Sequence, residues 1–163
     1  MTVHLPLRRP WLWALAACAV AAGSEGLLAG SGVRARFDEL LLPPFSPPLW
    51  AWAIIGILYY VLFFFLLSSL LGNPPTPTLT LSALVLVALL LAANATWNWL
   101  FFREKDLWLS TIFAAPYDAV ALTLALVLFR LRSPLFGWYL LYVAYLAYAG
   151  WWGIRLWHLN AGA

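Results

Sequence analysis

Charged side chains are what this sequence has least of. Only 9% of its 163 residues are Asp, Glu, Lys or Arg, while 65% are apolar; a soluble domain carries roughly 25% charged residues and about 45–50% apolar ones. An interior of this size cannot hide so much apolar side chain. A soluble fold is therefore excluded, and an integral, multi-pass membrane protein is implied. Cysteine is nearly missing as well: the single Cys18 can form no intrachain disulfide and belongs to no metal cluster. His4 and His158 stand outside or at the ends of the apolar runs, with no partner at metal-ligand spacing. They read as interfacial, and no metal site is expected. Also missing are a phosphate-cradling glycine loop, a nucleophile elbow and an HExxH pair. The basic residues give a net charge of +3 but are scattered over both termini and the loops. Without a basic stripe, nucleic acid is excluded as a partner. Repeats and low-complexity segments are absent, so residues 1–163 read as one domain.

What is present is a series of apolar runs. A membrane span needs about 20 apolar residues, and the breaks leave five candidates at about 11–30, 48–71, 79–102, 107–129 and 135–157. "GNPPTPT" (72–78) cannot be helical, because proline removes donors and restricts the residue before it. "REKD" (103–106) is a tight charged turn, and "RLRSP" (130–134) joins basic residues to a breaker. The first run begins like a secretory signal, with a basic start and small residues in "AVAAG". Its continuation to about Gly30, with Trp11 and Trp13 at its start where interface anchors sit, favours a retained helix. The later loops are short, so successive helices are expected to be antiparallel neighbours. Only 31–47, "SGVRARFDELLLPPFSP", is long, and its apolar, proline-rich end suits a lid over the mouth of the bundle. Arg8, Arg9, Arg130 and Arg132 on one side balance Arg34, Arg36, Arg103, Lys105 and Arg155 on the other. Positive charge therefore selects no orientation.

Polar groups inside spans are the functional candidates, since each is costly unless paired or wet. Asn94, Trp97, Asn98 and Phe101 fall at i, i+3, i+4 and i+7, one helical face carrying two amides and two rings. Interhelical glue is the bland role for such amides, at about 0.6 kcal/mol per bond on average. Trp97 beside them adds a flat wall and an indole donor. Tyr142, Tyr145, Ala149 and Trp152 share a face of the fifth span, where Tyr145 and Tyr148 lie too deep for an interfacial belt. Glu25 in the first span and Asp118 in the fourth are carboxylates at membrane depth. Meeting in one cavity, they could perform acid/base work. Glu25 alternatively lies close enough to the interface to be hydrated. Pro116 frees the carbonyl of Ile112 close to Asp118.

In these features the chain resembles the TspO / translocator proteins, also called tryptophan-rich sensory proteins or peripheral benzodiazepine receptors. The first-loop signature of that family, "WY..L..P" followed by "PP.W.F...W..LY", is similar to "RFDELLLPPFSPPLWAWAIIGILYY", with Phe37, Leu40, Pro43, Pro47, Pro48, Trp50 and Tyr60 in register. The third-helix signature "N..WS..FF" is met by Asn94, Trp97, Phe101 and Phe102, and the fifth by Tyr142, Leu159 and Asn160, with Tyr145 in place of a tryptophan. Arg36 and Phe37 stand for Trp-Tyr, Gly56 for a tryptophan, Asn98 for Ser or Thr, Leu141 for proline and Gly153 for asparagine. Glu25 and Asp118 lie outside the pattern, which marks a divergent member.

The resemblance implies an all-α membrane protein, five transmembrane helices in one bundle with the long first loop as lid. It implies a receptor, sensor or transporter for flat hydrophobic ligands, tetrapyrroles such as protoporphyrin or haem, or sterol-like isoprenoids, tied to tetrapyrrole metabolism or stress response. On this reading the ligand-binding residues are Phe37, Pro43, Trp50, Tyr60, Asn94, Trp97, Asn98, Phe101, Tyr142, Tyr145 and Ala149. Asn94 orients the ligand, Trp97 and Tyr145 form walls, the loop around Phe37 and Pro43 closes the site, and Asn98 adds a polar contact or pairs with Asp118. No obligatory cofactor is expected; membrane lipid and a second copy in a homodimer are the expected partners. Two other functions stay open: an intramembrane sterol or isoprenoid isomerase using Glu25 and Asp118, and a structural subunit of a larger membrane complex.

Overall fold

The computed structural model describes residues 9–72 and 76–161. His4, Arg8 and the prolines of the 72–78 break fall wholly or partly outside the described residues. The described elements are α1 (Pro10–Ala29), the short α2 (Val33–Asp38), α3 (Leu49–Gly72), α4 (Pro77–Asn98), α5 (Leu107–Arg130) and α6 (Phe136–Asn160). A π-helical turn, Trp99–Arg103, continues α4. The five long helices match the five apolar runs to within a few residues, since the same prolines and charges end both. Pro10 and Pro77 open α1 and α4, where a missing N–H costs nothing. Asp106 caps α5, its carboxylate accepting from Leu109 N at 2.8 Å. Gly30 leaves α1 with φ 75°, a conformation that favours glycine. α5 runs through Pro116 unbroken.

Four of these helices, α1, α3, α4 with its π turn, and α5, are long and apolar enough to cross a membrane. The fifth, α6, has the length, but its tyrosines, tryptophans and Arg155 lower its mean hydropathy. Only 11–33% of the four apolar windows is buried, and the outward faces are themselves apolar, as at Val20, Leu27, Leu126 and Leu141. An apolar outward face is what lipid requires. The protein is an integral, multi-pass, all-helical membrane protein.

The helices form a ring in the order α3, α1, α4, α5, α6, closing where α6 meets α3. The expectation of successive antiparallel neighbours holds for α4–α5–α6 but needs correction for α3 and α4. These touch only briefly because α1 lies between them. Gly72 permits that insertion, since a Cβ there would stand 3.2 Å from Pro10 Cγ. Phe63, Leu66, Leu90, Leu124, Leu128 and Tyr139 fill the half of the ring away from the first loop. A second cluster, Phe37, Leu40, Phe101, Trp152 and Leu156, seals the loop end. Between them the ring is hollow.

Candidate functional site

The hollow is a cavity of about 400 Å³, within the roughly 300–1,000 Å³ of small-molecule sites. Its walls come from every long helix. α3 contributes Trp52, Ala53, Gly56 and Tyr59, which recur at i, i+1, i+4 and i+7 along one face. α4 and its π turn contribute Asn94, Trp97, Asn98, Phe101 and Phe102. From α5 come Ser110, Thr111, Ala114, Tyr117 and Asp118, and from α6 Tyr142, Tyr145, Ala149, Trp152 and Gly153. α1 adds Glu25, and Phe37 of α2 reaches in from the loop.

The π turn shapes one wall. Glu104 N bonds Trp99 O at 3.0 Å, the wider spacing of a π turn, a feature frequent at functional sites. Within that wall Trp97 and Phe101 stack at 4.8 Å with 15° between their planes. Trp52 packs on Trp152 at 4.9 Å and on Tyr148 at 6.5 Å, and Trp152 lies 6.1 Å from Phe101, so the rings form one continuous aromatic wall. The Trp52 indole Nε1 is sealed without an acceptor among the described residues, a donor left in the wall. The floor is tyrosine. Tyr117 and Tyr142 share a hydroxyl–hydroxyl bond, and the Tyr59 hydroxyl donates to Leu90 O at 3.3 Å. Gly56 leaves open space, since a Cβ there would meet nothing within 4 Å. The cavity is thus wide where the resembled pattern has a tryptophan.

The first loop closes the mouth and is pinned on both sides. Asn160 Nδ2 donates to Leu41 O and its Oδ1 accepts from Leu41 N, both at 3.0 Å. Trp152 Nε1 donates to Ser46 Oγ at 2.7 Å, and the Tyr148 hydroxyl donates to Phe45 O at 3.0 Å. On the other side Arg36 Nη2 donates to Lys105 O at 3.0 Å, and Lys105 Nζ reaches both Glu39 oxygens at 3.2 and 3.0 Å. Lys105, bonded to it, holds the Glu39 carboxyl below the ordinary carboxylate range.

Of the residues expected to bind ligand, Phe37, Asn94, Trp97, Asn98, Phe101, Tyr142, Tyr145 and Ala149 line this cavity, and so do Glu25 and Asp118. Three do not. Trp50 is 66% exposed and faces outward. Tyr60 lies behind the wall, its hydroxyl donating to Glu25 Oε2 at 2.6 Å. Pro43 is buried in the lid, where its carbonyl accepts from Ser46 Oγ at 2.8 Å. The expected pairing of Asn98 with Asp118 is also corrected: Asn98 Nδ2 donates to Asn94 O at 3.0 Å, one turn back in its own helix. Asn94 itself spends its amide on Glu25 Oε2 at 2.6 Å. Of the cavity walls that sequence reasoning missed, Trp52, Gly56 and Tyr59 sit on α3, where no polar pattern marks an inner face, while Tyr117 on α5 adjoins the polar signal of Asp118. Gly56 carried the one available signal, as a departure from the resembled pattern.

The family model described as TspO/MBR family matches residues 14–158. That span holds every cavity residue and all of the lid. No curated protein matches the chain.

Proposed function

Because the chain belongs to the TspO/MBR family, with its membrane sensor/transporter-type role, we propose that it binds a flat hydrophobic ligand, a tetrapyrrole or a sterol-like isoprenoid, inside the helical ring. The observation that supports this most is the aromatic-lined cavity itself. A continuous run of rings, Trp97 stacked on Phe101 and Trp52 packed on Trp152, suits a planar apolar body. Solid packing lies beneath this space and a pinned lid above it. The sparse polar lining suits a site in which a few groups orient a ligand held mainly by apolar contact. Binding on this reading is coupled to the lid, which must open for entry and is held by a few hydrogen bonds and ion pairs and by Phe37 and Leu40.

Titration of the purified protein in uncharged detergent with protoporphyrin, and separately with a fluorescent sterol, tests the reading through quenching of its own tryptophans. Saturable quenching by either, lost in Ala149→Phe where the new ring occupies the cavity, is the expected result. Quenching that is linear, or the same in the variant, means partition into the micelle and refutes it.

A second reading draws on one further observation. Glu25 and Asp118 line the same cavity, as an intramembrane isomerase moving a proton on a sterol or isoprenoid double bond would require. Conversion of an added isoprenoid, abolished by Glu25→Gln with binding retained, would carry that reading; no conversion by the wild-type protein removes it.

A further inference from the structure

Resting on the cavity as a site for flat apolar ligands, the polar lining points to a charge preference beyond the two ligand classes named above. Two carboxylates, Glu25 and Asp118, line the cavity, and among the described residues no Lys, Arg or His does so. Neither meets a cation among the described residues: the ion pairs there, Arg34–Asp38, Arg36–Glu39 and Lys105–Glu39, all belong to the lid and the α4–α5 turn.

Glu25 is held as an acceptor. The Tyr60 hydroxyl and Asn94 Nδ2 both donate to its Oε2, each at 2.6 Å. Two donors converging on one oxygen favour the charged form of that carboxylate. The second oxygen, Oε1, takes no hydrogen bond from a described residue, and the side chain stands in the cavity wall. Asp118, on α5, takes none either. Asn98, which could have served it, donates instead to the Asn94 carbonyl. An anion at membrane depth persists only with a counter-charge or water, and the protein supplies donors to half of one carboxylate and to none of the other.

The geometry points to a ligand that is flat, apolar and cationic, carrying a protonated nitrogen. Its ring system lies against Trp97 and Trp52, and its N–H donates to Glu25 Oε1. The Asp118 carboxylate in the same cavity adds attraction, and the same field repels a ligand whose head group is a carboxylate. A tetrapyrrole could place its propionates only toward the lid, where Arg36 and Lys105 lie.

Three tricyclic probes of one shape test this: 9-aminoacridine (cation), anthracene (neutral) and anthracene-9-carboxylate (anion). Each is titrated into the purified protein in uncharged detergent, and the saturable tryptophan quenching lost in Ala149→Phe is taken as cavity binding. The expected result is that the cation half-saturates at least tenfold below the anion, and that Glu25→Gln lowers the preference for cation over anthracene about tenfold. Asp118→Asn is expected to lower it by a smaller factor. Equal affinity for cation and anion, with anthracene still saturable, overturns the charge selection and leaves the cavity reading standing. Saturable binding by none of the three overturns both. Should Glu25→Gln fail to fold, the wild-type ranking and Asp118→Asn remain decisive, and an unchanged preference in Asp118→Asn with no cation preference in the wild type refutes the inference.

Discussion

The lid is held to α6 by a bond whose removal has a calculable effect. Ser46 Oγ accepts from Trp152 Nε1 at 2.7 Å and donates to Pro43 O at 2.8 Å. Ser46→Ala deletes both bonds. The loss at Pro43 is of an ordinary hydrogen bond, about 0.5–1.5 kcal/mol. At Trp152 it is larger, because that ring is only 3% exposed and the indole N–H would be left buried without an acceptor, at about 1–3 kcal/mol. The closed lid should therefore lose about 3 kcal/mol, a factor of roughly 150 in its opening equilibrium. Hydrogen exchange of the peptide covering residues 39–47, measured in detergent, reads that equilibrium, and its exchange should accelerate by about that factor while the core of α3 is unaffected. Trp152→Phe combined with Ser46→Ala removes the orphaned donor as well, so the double variant should cost less than the sum of the singles. Exchange at the wild-type rate in Ser46→Ala, or acceleration spread evenly over all helices, would refute the idea that this bond pins the lid.

Two further outcomes follow from the core and the lid. Phe63 is fully buried between Tyr59 and Tyr142, so Phe63→Ala should cost about 3 kcal/mol through lost packing, seen as a lowered melting temperature in detergent. Because Lys105 depresses the Glu39 carboxyl, the Glu39 contribution to lid closure is fully present above the ordinary glutamate value of about 4.3 and is lost as pH falls through the lower folded value. Lys105→Ala should return Glu39 toward that ordinary value, which its side-chain carboxyl resonance in an NMR titration would show.

Much of this architecture is legible in the sequence because the bilayer makes severe demands. A span must be about 20 residues and free of charge, so the prolines at 72–78 and the charges of "REKD" could only be boundaries. The stripe of Asn94, Trp97, Asn98 and Phe101 was legible for a related reason. Amides in an apolar helix must face inward, and 3.6 residues per turn places both rings beside them. The polar exceptions point to the interior.

Tertiary structure alone decided the remainder. On α3 nearly every side chain is apolar, so periodicity cannot distinguish Trp52, which lines the cavity, from Trp50, which faces out. The insertion of α1 between α3 and α4 is equally hidden, since short loops limit which helices can be neighbours without dictating which are. That insertion brings Glu25 to Asn94, 69 positions away, and to Tyr60, 35 away. The sequence by itself determined the class of protein, the limits of its helices and the residues too polar to face lipid, because those follow from local composition and the solvent. Which polar groups meet, and that Glu25 takes the amide of Asn94 while Asp118 takes nothing, depends on contacts between segments far apart in the chain, and only the assembled ring of helices sets those.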